Sequence, residues 1–334
     1  MRRRIARLVE PRRFEVVQET LPALNPDEVL MRVLSCGLCH SEVPTYLGER
    51  QLVGVVRKGG AGFRITDKVE FPVLMGHEPV AVIEDKGSEV EGFRIGDLVS
   101  GWKRQCFADY VVADTSRLVK LPPLLEEPKK CLAEPLGCIV NIVRAAAPPL
   151  GDSVAIIGCG FMGLLCVAGL KESGAFELIA IDLMDERLEW ATKLGATRTL
   201  NPGRDNVARI VEDMTSGRGV DIVVEITGSM KGFRLATEIV RQRGKILIPS
   251  LYGRPEPMDA GYHLMLKSPT IHSTHPWYSD DSERDLRLGV EALARKVLPG
   301  NLLVTHEFRL DQINEAFGVL VNPGPGYLKG IIVP

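Results

Sequence analysis

Residues that could bind a metal ion occur in three short stretches of the first half of the chain. The first holds Cys36 and Cys39, the second is Gly76-His77-Glu78, and Glu134 follows within a Glu-Pro-Leu sequence. One thiolate, one imidazole and one or two carboxylates form a ligand set suited to catalytic zinc, which keeps a coordination position open for water or substrate. The pattern therefore predicts a zinc site formed by Cys39, His77 and an acid.

The Cys36-x-x-Cys39 spacing also allows other interpretations. A redox dithiol would need a thioredoxin-like βαβ unit, which the residues around position 36 do not resemble. Half of a structural zinc knuckle would need a second cysteine pair, whereas the following cysteines, Cys106, Cys131 and Cys138, are isolated. The spacing alone also leaves open that His77 is an ordinary satisfied histidine and that the thiols are buried and inert.

A second motif with chemical meaning is Gly158-Cys159-Gly160-Phe161-Met162-Gly163, which matches the G-x-G-x-x-G fingerprint of dinucleotide sites. An apolar strand-type run, Val154–Ile157, precedes it and a helix-type run follows, which is the context that the motif requires. We expect Gly158 to make the tight turn, Gly160 to admit a pyrophosphate and Gly163 to let helix and strand pack closely. The helix N-terminus, with Phe161 and Met162, would then offer its N–H groups to the phosphates.

The choice between NAD and NADP depends on Asp182, at the end of the next predicted strand. It lies 19 residues after Gly163, close to the roughly 20-residue offset at which an acid binds the adenosine ribose. A carboxylate there accepts a hydrogen bond from the 2′-hydroxyl and repels a 2′-phosphate, and the first cation that follows is Arg187. We therefore expect NAD, bound in part by Asp182 and Arg187. The alternative is that the glycines serve only a tight turn and that Asp182 caps the next helix.

Two kinds of sequence must position these motifs. From about residue 151 to 277, apolar runs alternate with helical stretches, which is typical of parallel strands joined by crossover helices. The N-terminal part carries short strand-type segments with frequent Gly and Pro, which favours an antiparallel, barrel-like β domain. The Ala145–Gly151 stretch, with its proline pair, separates the two. The expected division is a first domain at 1–147, a dinucleotide-binding domain at 148–277, and a C-terminal segment at 278–334 that returns to the first domain.

Composition excludes several classes of protein. A length of 334 residues favours two domains. With 41 Lys and Arg against 43 Asp and Glu the net charge is −2, so neither nucleic acid nor a membrane surface is an expected partner. The seven scattered cysteines do not resemble a disulfide framework, and no apolar core follows the basic first residues, so a cytoplasmic protein without a signal peptide is expected. The apolar run Ser153–Leu170 is interpreted as a buried strand turning into a helix rather than a membrane span.

In their order along the chain, the Cys39-x-Ser41-Glu42, Gly76-His77-Glu78, Glu134-Pro-Leu and Gly158–Gly163 motifs resemble the zinc-dependent medium-chain dehydrogenase/reductase superfamily. The Glu-Pro-Leu form resembles its sorbitol/polyol and threonine dehydrogenase branches more than the alcohol dehydrogenases with a cysteine as third protein ligand. The resemblance covers nearly the whole chain. It implies an α/β protein with a GroES-like β-barrel catalytic domain plus a Rossmann doubly wound parallel-sheet cofactor domain.

The same resemblance implies an activity and roles for the metal-binding residues. Hydride would pass between NAD and a secondary alcohol/ketone pair, with a polyol, cyclitol, amino alcohol or similar polar molecule as substrate. Cys39, rather than Cys36, would be the zinc thiolate and His77 the imidazole ligand. Glu78 and Glu134 would bind zinc directly, through water, or alternately.

Two further roles follow from the resemblance. Ser41 resembles the hydroxyl that passes the alcohol proton towards the nicotinamide ribose, the alternative being a turn serine. His40 resembles a residue that lies beside the cofactor pyrophosphate, although an exposed loop histidine is an equal alternative. Candidates for the substrate pocket are Tyr46, Trp102, His275 and Trp277.

The chain departs from the pattern at three places. Pro44 stands where many members have a proton-relaying histidine, so proton release must use water or another group. Ser100–Phe107 runs directly between two strands where typical zinc members insert a four-cysteine lobe, so we expect one zinc per chain and no structural zinc. The Arg50–Glu70 stretch is longer than the resemblance suggests and is a lid, part of the substrate pocket, or a hairpin at a subunit contact.

Two other functions remain open at this stage. A zinc-free, NADP-dependent quinone or enoyl reductase of the same superfamily would lack the metal-binding residues, and a non-catalytic dinucleotide-binding protein would have no need of the complete set. The resemblance also implies a homodimer or homotetramer formed through sheet edges, for which Ser268–Thr274 is the candidate.

Overall fold

Apolar strands and amphipathic helices form two units in this protein. The structure is a computed structural model, and it describes residues 1–57, 60–123, 125–252, 256–257, 261–276 and 279–334. One unit comprises Met1–Glu134 and Asn301–Pro334, and the other comprises Pro135–Gly300. Trp277 lies outside the described residues, as do residues 58 and 59 of the Arg50–Glu70 stretch.

The elements have the following bounds. The strands are β1 Arg2–Glu10, β2 Arg13–Thr20, β3 Glu28–Gly37, β4 Gln51–Arg57, β5 Gly60–Thr66, β6 Val73–Leu74, β7 Pro79–Lys86, β8 Leu98–Gly101, β9 Tyr110–Asp114, β10 Leu118–Lys120, β11 Ser153–Ile157, β12 Glu177–Ile181, β13 Arg198–Leu200, β14 Val220–Glu225, β15 Val240–Ile248, β16 Thr270–Ser273, β17 His306–Arg309 and β18 Gly330–Val333. The α-helices are α1 Val43–Tyr46, α2 Ala133–Ala146, α3 Phe161–Lys171, α4 Asp185–Leu194, α5 Val207–Met214, α6 Met230–Ile239, α7 Gly261–Lys267, α8 Ser282–Ala294 and α9 Ile313–Val321.

The first unit is a mainly antiparallel β structure. Its largest sheet has the order β10-β8-β7-β3-β18-β17, with β9 also paired to β3, and a smaller sheet has the order β2-β1-β6. β4 and β5 form a separate hairpin. The C-terminal strand β18 pairs with β3, where Ile332 lies opposite Cys36. The end of the chain is therefore part of the same sheet as the first metal-binding stretch.

The second unit contains a six-stranded parallel sheet with the order β13-β12-β11-β14-β15-β16. β11 and β14 lie at its centre and are buried along their whole length. Burial on both faces explains the apolar sequence of β11, whereas β14 also holds the buried carboxylates Asp221 and Glu225. The strand order reverses between β11 and β14, as in doubly wound folds. The predicted α/β class with a doubly wound parallel sheet is confirmed.

The two units divide the chain after Glu134 and Gly300, whereas the sequence pattern places the divisions at 147/148 and 277/278. The difference arises from α2, which packs within the second unit. Its Asn141 side-chain nitrogen donates to the Thr274 carbonyl at 2.9 Å, and Arg144 forms an ion pair with the buried Asp285 of α8. The proline pair after α2 thus separates a helix from a strand of the same unit.

The apolar run Ser153–Leu170 folds as β11 followed by α3. None of the described helices combines the length and the apolar character that crossing a bilayer requires.

Candidate active site

The sulfur, nitrogen and oxygen ligand atoms of Cys39, His77 and Glu78 lie within 4.8 Å of one another. The pairing of β3 with β7 produces this arrangement, because Cys36 lies opposite Pro79 in the antiparallel register. Cys39 follows the end of β3 and His77-Glu78 precedes the start of β7, so antiparallel pairing brings the two stretches together. The predicted metal-binding residues of these two stretches therefore form one group.

A glycine makes room for this group at the end of β3. A Cβ atom at Gly37 would lie 2.0 Å from Glu78 Oε2 and 2.9 Å from a methyl carbon of Leu132. Any side chain at this position would displace the Glu78 carboxylate. Gly37 is therefore required for packing around the acid.

Glu42 orients the imidazole of His77. Its Oε1 lies 3.2 Å from His77 Nδ1 and also accepts a hydrogen bond from the Gly76 backbone at 2.7 Å. Burial by itself lowers the pKa of His77, but Glu42 and Cys39 outweigh it and raise the pKa well above its usual range. With Nδ1 held by Glu42, Nε2 is left for a metal ion, the arrangement by which carboxylates commonly orient metal-binding histidines.

Lys329 forms a buried ion pair with Glu78, and sequence reasoning missed it. Its Nζ lies 2.8 Å from Oε1 and 2.6 Å from Oε2, and the two side chains are only 7% and 1% exposed. Burial would raise the pKa of Glu78, but the Lys329 ammonium outweighs it and lowers the pKa. The pKa of Lys329 is raised in spite of its burial, because Glu78 and Cys39 stabilise its charge. Lys329 stands directly before β18, 251 residues from Glu78, and no local signal in the sequence indicates the pair.

The donor set fits a zinc ion. A thiol, an imidazole and a carboxylate are ligands that zinc accepts, and three protein ligands leave a position open. The raised pKa of His77 shows that the group attracts positive charge, which a metal ion would supply in place of the proton.

The other residues expected near the metal are placed as follows. The Ser41 hydroxyl donates to Cys39 Sγ at 3.2 Å, in a short helical turn that also contains the exposed His40. Glu134 is half-buried in the first turn of α2 and is not a member of the three-residue ligand group found among the described residues. Cys36 is fully buried, and burial raises its pKa well above the usual value, which distinguishes it from the partly exposed Cys39.

Three of the pocket candidates, Tyr46, Trp102 and His275, lie among the described residues, each in different surroundings. Tyr46 is buried in the core of the first unit, where its ring lies 4.8 Å from that of Phe317, so this expectation is wrong. Trp102 is half-buried with the Arg117 guanidinium 5.3 Å from its ring centroid. His275 is exposed, and partial desolvation of its ring lowers its pKa.

The glycine-rich loop connects β11 to α3 as the motif predicts. A Cβ atom at Gly163 would lie 1.8 Å from the Gly158 carbonyl oxygen, so only glycine allows the helix to pack this closely. A Cβ atom at Gly160 would meet no atom of the described residues within 4 Å. Open space therefore faces the backbone where a pyrophosphate is expected, and the N-terminal residues of α3, Phe161 and Met162, follow directly.

Asp182 links the glycine-rich loop to the end of β12. Its Oδ2 accepts from the Cys159 backbone at 2.7 Å and its Oδ1 from the Met184 backbone at 2.8 Å. Arg187 Nη1 lies 3.7 Å from Oδ2. Each carboxylate oxygen has further lone pairs, so these contacts leave capacity for ribose hydroxyls.

Comparisons with known proteins agree with both the metal-binding group of the first unit and the glycine-rich loop of the second. The family model described as alcohol dehydrogenase GroES-like domain matches residues 25–123, and the one described as zinc-binding dehydrogenase matches residues 162–290. An L-threonine 3-dehydrogenase of Caldanaerobacter subterraneus is 27% identical over 92% of this chain and 92% of its own length. A (R,R)-butanediol dehydrogenase of Bacillus subtilis is 28% identical over 92% and 93%.

A solved structure supports the same conclusion about the fold. The crystal structure of 2R,3R-butanediol dehydrogenase from Bacillus subtilis superposes with a TM-score of 0.80 at 26% identity, covering 99% of each chain.

Proposed function

Since the chain belongs to the zinc-type medium-chain dehydrogenase/reductase superfamily, we propose that it oxidises a secondary hydroxyl group with NAD as hydride acceptor, and catalyses the reverse reduction. The substrate class is a polyol, cyclitol, amino alcohol or similar polar alcohol, in keeping with the threonine and butanediol dehydrogenases that resemble it. The observation that carries the proposal is the convergence of Cys39, His77 and Glu78 in a chain that also has the dinucleotide loop.

Cys39, His77 and Glu78 would hold the zinc ion, with Glu42 orienting the histidine and Lys329 fixing the carboxylate. Bound zinc supplies a Lewis acid that lowers the pKa of the substrate hydroxyl, and bound NAD accepts the hydride. Ser41 would relay the hydroxyl proton, accepting it from the substrate while passing its own proton on towards the nicotinamide ribose, and its hydrogen bond to Cys39 Sγ places it beside the metal ligands. Glu134 would act as a further acid that approaches the metal through water.

The residues that we propose contact the cofactor lie in the second unit. Gly158, Gly160, Gly163 and the N-terminus of α3 would bind the pyrophosphate, and Asp182 would bind the adenosine ribose. Asp182 favours NAD over NADP because its charge repels a 2′-phosphate. Arg187, whose Nη1 lies 3.7 Å from Asp182 Oδ2, would be a further cofactor contact.

The assembly proposed is a homodimer or homotetramer in the cytoplasm, paired through β16. This strand is the edge of the described parallel sheet, and all four of its side chains are exposed, with Ile271 at 44%. The neighbouring α7 exposes Tyr262, Met265 and Leu266. An open edge beside exposed apolar side chains is the kind of surface that symmetric strand pairing buries.

The test of function combines a screen with metal analysis. NADH production is measured across polyols, cyclitols, amino alcohols and simple alcohols, with NAD and NADP in parallel, and zinc is measured by mass spectrometry. We expect turnover with NAD and about one zinc per chain, as three protein ligands at one site require. A purified protein that binds no zinc would refute the proposal.

Two cysteine variants test the ligand assignment. Cys39→Ala should lose zinc and turnover but retain NADH binding, because the dinucleotide loop lies in the other unit. Cys36→Ala is the matched control, since it removes a thiol three residues away that the assignment treats as inert. Normal activity in Cys39→Ala, or loss of zinc only in Cys36→Ala, would show that the ligand is wrongly identified.

A further inference from the structure

Glu225 is a fully buried carboxylate at the end of β14 that has no part in the proposed chemistry. Its hydrogen-bond donors among the described residues are neutral. Oε1 accepts from the Thr227 backbone at 2.9 Å and from the Thr227 hydroxyl, and Oε2 accepts from the Tyr252 hydroxyl. The Ser250 hydroxyl also donates to the Glu225 carbonyl at 2.9 Å. One side chain thus joins the segment after β14 to the segment after β15.

The segment after β14 lies where the strand order of the sheet reverses, and the segment after β15 lies one strand beyond it. β14 is the neighbour of β11, whose end carries the glycine-rich loop, and ligands of doubly wound sheets bind outside the carboxyl ends of the strands at this reversal. Thr227 reaches the loop itself, since a Cβ atom at Gly158 would lie 2.8 Å from its methyl carbon. The Thr227 hydroxyl also lies 2.8 Å from the hydroxyl of Ser229, which caps α6. Glu225 therefore holds the residue against which the dinucleotide loop packs.

Asp221, on the same strand, is a buried carboxylate with a structural role and serves as a comparison for Glu225. It is 3% exposed and lies at the opposite end of β14, where Arg218 and Arg241 each donate to it and Ser153 Oγ donates at 2.8 Å. Its charge is matched by cations far from the carboxyl ends of the strands. At Glu225, by contrast, the donors belong to the loops that border the expected cofactor.

We propose that Glu225 is a positioning residue of the dinucleotide site, which fixes the segments after β14 and β15 so that the glycine-rich loop and its surroundings are preorganised for the cofactor. The inference rests on the proposed function, because it assumes that the second unit binds NAD. Loss of the carboxylate should weaken cofactor binding beyond any effect on folding, because ordering the loops would then be a cost of binding.

The test measures NADH affinity by fluorescence titration, without substrate, in four variants. Glu225→Leu leaves the Thr227 N–H and the Tyr252 hydroxyl without their acceptor, and we expect the NADH Kd to rise about tenfold or more. Glu225→Gln keeps an oxygen for Thr227 and can donate its amide to the Tyr252 oxygen, so its Kd should rise less than about threefold. Tyr252→Phe removes a single contact and should raise the Kd about threefold.

Asp221→Asn is the matched control. It perturbs a buried carboxylate on the same strand, so it should lower the melting temperature and leave the NADH Kd unchanged. Steady-state kinetics should agree, with Glu225→Leu raising KM for NAD more than it lowers kcat. If Glu225→Leu and Asp221→Asn changed Kd equally, general destabilisation would explain both and the positioning role would be wrong.

The outcomes also separate this inference from the proposed function. A wild-type protein that binds neither NADH nor NADPH contradicts the proposed function itself. A wild-type protein that binds NADH while Glu225→Leu binds it equally well contradicts only the positioning role. If Glu225→Leu fails to fold, the NADH Kd values of Tyr252→Phe and Glu225→Gln test the positioning role instead. An unchanged Kd in Tyr252→Phe would overturn the inference.

Discussion

Replacing Lys329 by methionine tests the buried ion pair beside the metal ligands. The substitution keeps an unbranched side chain of similar length and removes the ammonium that lies 2.6 and 2.8 Å from the two Glu78 oxygens. Glu78 is then left 1% exposed without its cation. Breaking a buried pair from one side costs about 3–5 kcal/mol, because the remaining charge is neither solvated nor paired.

This cost should depend on zinc. In the zinc-free protein the Lys329 ammonium is the largest positive influence on Glu78, ahead of His77, and we expect its loss to lower the free energy of unfolding by about 3–5 kcal/mol. In the zinc-loaded protein the metal ion balances part of the Glu78 charge, so the substitution should lower the free energy of unfolding by less. If the two losses differ by about 1.4 kcal/mol, thermodynamic linkage requires that the variant bind zinc roughly tenfold more tightly than the wild type.

The assay is urea unfolding followed by tryptophan fluorescence, with and without zinc, together with zinc competition against a chromophoric chelator. Lys245→Met is the matched control, because the Lys245 ammonium donates to the Ala145 and Ala146 carbonyls in the second unit and should act independently of zinc. The double variant Lys329→Met/Glu78→Met should regain part of the stability in the zinc-free form, since an apolar pair of similar volume has no charge to compensate. Equal stabilisation of wild type and Lys329→Met by zinc would refute the reasoning.

Three further predictions concern the second unit. Burial would raise the pKa of Asp221, but Arg218 and its other donors lower it well below its ordinary 3.8, so the stability it provides is present above about pH 4 and is lost as the pH falls below that value. Asp221→Asn should therefore flatten the pH dependence of unfolding, measured by urea titration between about pH 5 and pH 2, and an unchanged profile would contradict this assignment. Asp182→Ser removes the charge that repels a 2′-phosphate, so the ratio of kcat/KM for NAD to that for NADP should fall at least about tenfold, and an unchanged ratio would exclude Asp182 as the selecting residue. Ile271→Lys places a charge on the exposed edge strand and should reduce the molar mass seen by light scattering to that of a single chain, whereas an unchanged mass would rule out pairing through β16.

Short-range patterns predict much of this protein. The residue types and spacing predict a zinc site of a cysteine, His77 and an acid, and the family resemblance implies Cys39 and Glu78 within it; the structure brings these three residues together. The glycine-rich loop is identifiable because its neighbours in the sequence already define a strand and a helix. Tyr46 shows the limit of such reasoning. Its place in the sequence suggests a pocket, yet its ring packs against Phe317, and nothing local distinguishes the two surroundings.

The sequence by itself determined the α/β class, the two motif sets and the family, because these depend on residue type, hydrophobic period and spacing over a few tens of residues. Tertiary structure alone decided which groups the buried carboxylates contact. Lys329 reaches Glu78 only because β18 pairs with β3, and Tyr252 reaches Glu225 only because β15 lies beside β14. A charge in the interior is stabilised by whichever group the fold brings within about 3 Å of it, and that partner can stand anywhere along the chain.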